Sequence, residues 1–326
     1  MSTEQYRVPG RAILREVVQA YQPYRQIVTD QHTRALVLRF DSASGAPDDW
    51  ALRMAASQVS AEQKQRTFEQ LGVSADIRIL GPDTEWAELD EQLTEANETP
   101  EIAAVIVQTP PPRHLVPLLD HIAPDKDIDA LSSNSPRLAC ATADGITRIA
   151  APYLEHGATS AVIGSRGFVG SGVATLLRRA GHHPLELDQG DDLRQARDVD
   201  VVISTTGRGG LLTAEHLHRE HLLVIDSGFV PHPSGVIGDV HPSATHLPRA
   251  ITPVPGGIGP VEMATLAERL TQQVAAPDLG SWRYLGPTLD HPELQRTTAT
   301  LEVAAQHERA LQIEGPSREL GIEHDP

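Results

Sequence analysis

The sequence predicts an α/β protein made of two domains with a cleft between them. Short apolar runs alternate with longer segments of helical periodicity, a pattern typical of parallel strands joined by crossover helices. Two runs rich in glycine, at 164–170 and 251–260, each stand directly before a helical segment. The length of 326 residues and a hydrophobic content of 40% suffice for two domains of ordinary size.

The first half predicts an N-terminal α/β substrate domain over residues 1–145. Helical spacing of apolar residues predicts helices at 11–22, 51–71 and 85–96. Apolar runs between them predict strands at 35–38, 77–80 and 104–107. A helix at about 260–276 is assigned to the same domain.

The second half repeats the alternation as a mononucleotide-binding pattern, which predicts a Rossmann-type dinucleotide-binding domain at 146–259. Its predicted strands are 160–163, 184–187, 201–204 and 222–226. Its predicted helices are 170–180, 191–196 and 213–218, and a helix at 145–156 joins the domains. Residues 277–326 form an extension of unknown role, with a helical pattern at 291–313 and a poorly ordered end from 314.

Composition narrows the classes of partner and compartment. The net charge of −17 argues against nucleic acid or an anionic membrane as the main partner. The lone Cys140 excludes an intrachain disulfide and is expected to be a small buried hydrophobe. Without a long apolar run or a signal-peptide pattern, a cytoplasmic protein is expected.

The first glycine run follows a predicted strand and opens a helix, which is the context of a pyrophosphate site. Its spacing, Gly164, Gly167 and Gly170, departs from the strict dinucleotide fingerprint. Asp188 ends the next strand, where a carboxylate accepts hydrogen bonds from a ribose and repels a 2′-phosphate. NAD is therefore favoured over NADP, although Arg166 near the loop could pair with a phosphate.

The run at 251–260 contains Pro253, Pro255 and Pro260 among three glycines. Proline fixes a backbone angle and glycine allows close approach, so this rigid loop suits an anion or a flat ring. A tight connection without a ligand is an equal alternative.

Three polar residues of the first half are further candidates. Lys64 lies one helical turn after Ser60 on the same face, Gln108 ends a strand, and Asp129 belongs to an acidic run. Each has a plain alternative, as a solvated lysine, a turn residue and an exposed acidic loop. No metal site is predicted.

Several segments together resemble the methylenetetrahydrofolate dehydrogenase/cyclohydrolase family. Residues 105–112 resemble its V-Q-L-P-L-P strand end, 124–129 its P-D-K-D-V-D and 252–260 its T-P-V-P-G-G-V-G-P. Weaker counterparts of G-R-S-x-I-V-G, V-I-D-V-G and G-D-V stand at 164–170, 224–228 and 238–240. The resemblance covers roughly residues 10 to 275.

The resemblance implies NAD(P)-dependent oxidation of 5,10-methylenetetrahydrofolate to 5,10-methenyltetrahydrofolate, with hydrolysis to 10-formyltetrahydrofolate as a second activity. It implies a homodimer. It implies that Lys64 acts in the hydrolysis, that Gln108 positions this lysine and that Asp129 holds the pterin ring. The expected substrate-binding residues also include Ser60, Pro255, Gly256, Gly257 and Glu262. The expected cofactor-binding residues are Gly164, Ser165, Arg166, Gly167, Gly170, Asp188, Thr205, Thr206, Gly207, Gly228 and Gly259.

The chain departs from the family pattern at the site itself. Ser60 stands for the family tyrosine, Ser165-Arg166 for Arg-Ser, Ala130 for a glycine, and Val261-Glu262 for Met-Thr. The C-T-P-x-G segment is weakened at 141–145. Two alternatives therefore stay open: a diverged paralogue acting on another one-carbon or imine substrate, and a folate- or nucleotide-binding protein without catalysis.

Overall fold

A computed structural model describes residues 5–42, 48–233 and 235–286 of the chain. Two parallel sheets carry the fold, as the alternating sequence pattern predicts, and the α/β class is confirmed. None of the helices in the described ranges combines the length and apolar character that a membrane span requires.

The first sheet has three strands in the order β3-β2-β4, with β2 in the centre. Both faces of β2 are buried: Ala35 and Val37 face one core cluster, Leu36 and Leu38 the other. Such a continuous apolar run is typical of a parallel strand covered by helices on both sides. Its elements are α1 (Gly10–Tyr21), α2 (Arg25–Asp30), β2 (Arg34–Phe40), α3 (Asp48–Gln70), β3 (Ser74–Leu80), α4 (Trp86–Glu98) and β4 (Ile102–Val107).

The second sheet has six parallel strands in the order β1-β11-β8-β7-β5-β6. Its strands are β1 (Tyr6–Arg7), β5 (Ser160–Ile163), β6 (Leu185–Leu187), β7 (Val201–Ser204), β8 (Leu223–Asp226) and β11 (Ala250–Ile251). The order of the strands reverses between β5 and β7, and ligands of open α/β sheets bind at such a switch point.

Helices α5 (Ala141–Leu154) and α6 (Phe168–Arg179) pack beside this sheet. Helix α7 (Ile258–Val274) packs against α5, α1 and α3 and against β4 of the first sheet. Their apolar faces share one large core with the first sheet. An antiparallel hairpin, β9 (Val230–His232) and β10 (Gly235–Ile237), projects after β8 and contacts α3.

The predicted strands all form, whereas one predicted helix was wrong. Residues 213–218 form turns, because the ring nitrogen of His216 accepts the amide hydrogen of Thr213 and holds a non-helical backbone. The segment predicted as a helix at 191–196 is a 3₁₀ helix, Leu193–Asp198. The predicted helix at 291–313 and the end of the chain from 314 lie outside the described residues.

Candidate active site

One large cavity lies at the carboxyl ends of strands from both sheets. Its volume is about 860 Å³, within the range of small-molecule and cofactor sites. The first sheet contributes residues from α3 and the end of β4, and the second contributes the loops after β7 and β8. The loop Pro253–Pro260 forms the wall between them.

Lys64 is the most deeply placed charge in this cavity. Its side chain is 2% exposed, so the alternative of a solvated helical lysine is wrong. Its ammonium donates to Ser60 Oγ at 2.8 Å, across one turn of α3, as their shared helical face predicts. It also donates to Glu262 Oε1 at 2.5 Å, and this carboxylate comes from α7.

Asp129 is buried beside this ion pair rather than in an exposed acidic loop. Its Oδ1 accepts the amide hydrogen of Ala141, at the start of α5, at 2.8 Å. Burial raises the pKa of Asp129 to about 6, with Glu262 adding to the rise and Lys64 opposing it. The neighbouring Asp127 serves the loop itself, accepting amide hydrogens of Asp129, Leu131 and Ser132.

Gln108 follows β4 and lines the cavity. Its backbone amide extends the sheet by donating to Leu38. Its buried side-chain Nε2 has no hydrogen-bond partner, so an amide donor is left for a ligand. Gln108 makes no hydrogen bond to Lys64, whose ammonium donates to Ser60 and Glu262 instead.

The start of α1 packs tightly against the loop at 251–260. A Cβ on Gly10, at the start of α1, would come within 2.1 Å of the Gly257 carbonyl oxygen. Gly256 has a φ of +108°, which favours glycine, and the peptide bond before Pro255 is cis. The loop passes directly into α7 at Gly257, where no side chain caps the helix. Pro255, Gly256, Gly257 and Gly259 all line the cavity.

The first glycine run forms the tight strand-to-helix turn that its sequence predicts. Gly164 has a φ of +85°, and a Cβ on Gly170 would come within 2.1 Å of the Gly164 carbonyl oxygen. Gly167 precedes α6, whose N-terminus has no side-chain cap. The helix amides are thus available to an anion, which fits the pyrophosphate of a dinucleotide.

Asp188 stands beside this turn and is engaged by its backbone. Its carboxylate accepts the amide hydrogens of Arg166 at 2.8 Å and Gln189 at 2.7 Å. These bonds lower its pKa and keep it ionised. The side chain of Ser165 is buried, whereas that of Arg166 is exposed.

The loops after β7 and β8 complete the cofactor side. Thr205, Thr206, Gly207 and Gly228 line the cavity. Buried carboxylates beneath them fix the backbone: Asp239 accepts from Ser204 Oγ and the Thr206 amide, and Asp226 accepts from the Gly228 amide. Burial raises the pKa of Asp226 to about 6.

Three arginines that the sequence motifs do not mark also line the cavity: Arg11, Arg53 and Arg208. Arg53 could have been found, because it lies on the helical stripe that carries Ser57, Ser60 and Lys64. Cys140 lines the cavity as a buried thiol, and burial raises its pKa to about 12. It is therefore a poor nucleophile at neutral pH.

Phe168 and Val169, in the first turn of α6, line the large cavity, whereas Gly164, Gly167, Gly170 and Asp188 are not part of its lining. A glycine turn at the switch point of a parallel sheet, next to such a cavity, is typical of the nucleotide-binding α/β enzymes. Comparison of the sequence with known families identifies which one. The profile of the tetrahydrofolate dehydrogenase/cyclohydrolase NAD(P)-binding domain matches residues 140–277, and the profile of the catalytic domain of that family matches residues 51–129.

Individual relatives agree with this match. The chain is 31% identical to bifunctional protein FolD 1 of Saccharopolyspora erythraea in an alignment of 273 positions that covers 74% of this chain and 83% of that protein. It is 33% identical to bifunctional protein FolD of Lactobacillus acidophilus in an alignment of 233 positions that covers 67% of this chain and 82% of that protein.

Solved structures of low identity share the fold. The FolD methylenetetrahydrofolate dehydrogenase/cyclohydrolase of Campylobacter jejuni aligns with a TM-score of 0.69 at 24% identity, over 82% of this chain and 97% of that one. The Trypanosoma brucei enzyme, complexed with NADP and an inhibitor, aligns with a TM-score of 0.70 at 23% identity, over 83% and 97%.

The chain belongs to the tetrahydrofolate dehydrogenase/cyclohydrolase family. The resemblance predicted from the motifs is confirmed, and with it the prediction of an NAD(P)-binding enzyme with dehydrogenase and cyclohydrolase chemistry.

Proposed function

We propose that this protein oxidises 5,10-methylenetetrahydrofolate with NAD(P) and hydrolyses the methenyl product, using Lys64, Gln108 and Asp129. The observation that carries the proposal is the convergence of these three side chains on one cavity, from α3, the end of β4 and the loop before α5. The same cavity is bounded by the loop 253–260 and by the loops after β7 and β8, where a nicotinamide would lie.

The polarity of the cavity matches the parts of the substrate. A pterin ring presents N–H groups, which suit the carboxylate of Asp129, and carbonyl and ring nitrogen acceptors, which suit the free Nε2 of Gln108. Folates end in glutamate carboxylates. The guanidinium groups of Arg11 and Arg53 line the same cavity and provide cationic partners for these carboxylates.

Oxidation and hydrolysis place different demands on the protein. The bound nicotinamide supplies the hydride acceptor, so the residues of the chain need only hold the bridge carbon in position. Hydrolysis of the resulting cation requires a positioned water and a proton acceptor. The Lys64 ammonium, fixed by Ser60 and Glu262, lies where it can orient that water.

A direct assay tests the dehydrogenase. Purified protein is expected to reduce NAD⁺ or NADP⁺ when 5,10-methylenetetrahydrofolate is added at saturating concentration. Failure to reduce either cofactor, with the protein folded by circular dichroism, contradicts the proposal. A thermal-shift series with each cofactor and a folate then distinguishes a binding protein from an inactive preparation.

Lys64→Ala is expected to impair hydrolysis more than hydride transfer. The substitution removes the charge that orients water but leaves Asp129 and Gln108 to hold the substrate. We expect the cyclohydrolase kcat to fall about 100-fold or more and the dehydrogenase kcat to fall much less. Equal losses of both rates contradict this role for the lysine.

For the cofactor we propose a preference for NAD, based on Asp188. Its ionised carboxylate beside the glycine turn attracts ribose hydroxyls and repels a 2′-phosphate, although it is shared with two backbone amides. The measurement is the ratio of kcat/KM for NAD⁺ and NADP⁺. Asp188→Ser is expected to shift this ratio towards NADP⁺ by about tenfold or more.

We further propose that the protein works as a cytoplasmic homodimer, as its family resemblance implies. The single buried thiol, Cys140, fits a reducing compartment. Light scattering of the purified protein is expected to give twice the mass of 35.2 kDa, and a monomeric mass at micromolar concentration overturns the dimer.

A further inference from the structure

Glu262 is the acidic residue that departs from the family pattern, and it meets Lys64 across two elements. Its carboxylate reaches from the first turns of α7 to the ammonium on α3, at 2.5 Å. The two residues lie 198 positions apart in the chain. The ion pair faces the cavity, with Lys64 2% and Glu262 16% exposed.

This contact restricts what Lys64 can do. An ammonium group has three donors and no lone pair, so it cannot take a proton. Here Ser60 Oγ and Glu262 Oε1 accept two of its hydrogens, leaving one to aim at a water or a substrate atom. The arrangement suits a fixed cation that polarises and orients.

Glu262, in contrast, has one carboxylate oxygen that can still accept a proton. Its Oε1 is bound to Lys64, whereas its Oε2 has no hydrogen bond to the residues that the structure describes. The other acidic group beside the ion pair, Asp129, already accepts the amide hydrogen of Ala141 and is assigned to the pterin ring. The thiol of Cys140 is held protonated by burial. Asp129 Oδ2 also has no hydrogen bond within the described residues, but Asp129 forms no ion pair with Lys64. Glu262 is thus the carboxylate that both contacts the Lys64 ammonium and keeps a free basic oxygen.

We propose that Glu262 is the proton acceptor of the hydrolytic step, with the Lys64 ammonium holding the attacking water; this rests on the function proposed above. The water oxygen bonds to the bridge carbon of the methenyl cation while one water proton passes to Glu262 Oε2, giving a neutral hydroxyl adduct. The bond from that carbon to N5 then breaks, the hydroxyl proton goes to N5, and the formyl group stays on N10. Glu262 releases its proton to solvent.

The substitution Glu262→Gln separates this role from its alternatives. It keeps the size of the side chain and a hydrogen-bond acceptor for Lys64 but removes the proton acceptor. We expect the ratio of cyclohydrolase kcat to dehydrogenase kcat to fall about 100-fold or more. If Lys64 were itself the base, restrained by Glu262, the glutamine variant would hydrolyse faster. If Glu262 only positioned the lysine, the ratio would stay near that of the unsubstituted protein. Either of the last two results overturns the proposal.

Further variants control for folding and charge. Glu262→Asp keeps a carboxylate and is expected to retain more hydrolysis than the glutamine variant; the reverse order contradicts the proposal. Glu262→Thr replaces the glutamine variant if the latter does not fold, with the same expected loss. Glu62→Gln removes one charge from the exposed side of α3, where Glu62 pairs with Arg66, and is expected to leave both rates unchanged.

The two assays also separate this inference from the proposed function. Hydrolysis is followed from added 5,10-methenyltetrahydrofolate, corrected for the spontaneous rate, and oxidation from added 5,10-methylenetetrahydrofolate. If the unsubstituted protein lacks both activities, the proposed function fails. If it has both and Glu262→Gln hydrolyses normally, only the role of Glu262 fails.

Discussion

Asp129 combines deep burial with charged neighbours on three sides. Loss of solvent is the largest influence on its pKa, Glu262 adds to the rise, and the resulting pKa is about 6. Lys64, the Ala141 amide and Arg269 oppose the rise. Its carboxylate in the free enzyme therefore gains a proton within an accessible pH range, and a protonated carboxyl loses acceptor capacity for pterin N–H groups.

We accordingly expect kcat/KM of the dehydrogenase to fall about tenfold per unit as the pH drops below about 6, and to be level above it. The sign follows from a folded-state pKa of about 6: the ionised, binding form predominates only above that value. The measurement is the pH profile of kcat/KM at saturating cofactor. The Asp129→Asn variant should have a lower kcat/KM that no longer falls below pH 6. If its kcat/KM still falls in the same pH range, the fall does not come from Asp129.

Gly170 is the residue of the glycine turn with the least space. A Cβ there would come within 2.1 Å of the Gly164 carbonyl oxygen, whereas a Cβ on Gly167 would lie 3.3 Å from the same atom. We expect Gly170→Ala to displace the turn from the helix N-terminus and raise KM for the dinucleotide at least tenfold. Gly167→Ala is the matched control, with a change of less than about threefold. Similar KM values for both variants would show that the tight packing at Gly170 is not needed for cofactor binding.

At the scale of elements, α3 carries a polar stripe along the cavity. Arg53, Ser57, Ser60 and Lys64 follow at spacings of four, three and four residues and line the cavity. Eleven residues of helix span about 16 Å, from Lys64 at the reacting end to Arg53 near the start of the helix. This length suits a folate whose bridge lies near Lys64 and whose glutamate points towards Arg53.

Arg53→Gln is expected to raise KM for the folate substrate about tenfold and to leave kcat close to its original value, because the glutamate lies far from the reacting carbon. KM for the cofactor should not change. Arg66→Gln is the control, since Arg66 lies on α3 outside the cavity and pairs with Glu62. An equal change in both variants, or a loss confined to kcat, contradicts a glutamate subsite at Arg53.

The strands show which parts of the fold could be predicted from the sequence. The seven predicted strands have clear apolar runs, and each forms within two residues of the predicted ends except β3, which begins three residues earlier. Strands β1 and β11 have two residues each, and β9 and β10 three, so they have no period to detect. Strand β1 forms because the distant β11 completes its hydrogen bonds, whereas β9 and β10 pair with each other as a local hairpin.

The site was predictable where a local motif marks it and not where distant elements meet. The glycine turn, the loop 251–260 and the pair Ser60–Lys64 depend on neighbouring residues, and the structure has them as the sequence suggests. The contact between Lys64 and Glu262 joins residues 198 positions apart, and no local pattern encodes it. The partners of Arg269, which binds the Ile128 and Ala139 carbonyl oxygens, are equally remote.

At the scale of the whole molecule, the described start of the C-terminal extension is part of the core. Trp282 and Tyr284 are buried, and Tyr284 bonds to Tyr6 at the opposite end of the chain. The Trp282 amide donates to Glu268 of α7 at 2.6 Å. Arg148 of α5 pairs with the same Glu268 and lies over the Trp282 ring, 4.9 Å from its centre. This segment therefore ties α5 to α7, the helix that carries Glu262.

Trp282→Ala is expected to lower the free energy of unfolding by about 3–5 kcal/mol, because it leaves a large cavity beside a buried ion pair. Trp86→Ala is the matched control: Trp86 is 43% exposed on α4, so a change of about 1 kcal/mol or less is expected. Urea denaturation at 25 °C provides both values. Because Trp282 braces α7 rather than touching the cavity, the Trp282 variant should also lose hydrolysis, which depends on Glu262, before it loses cofactor affinity. Equal destabilisation by the two substitutions would mean that the segment after α7 contributes no more than surface packing.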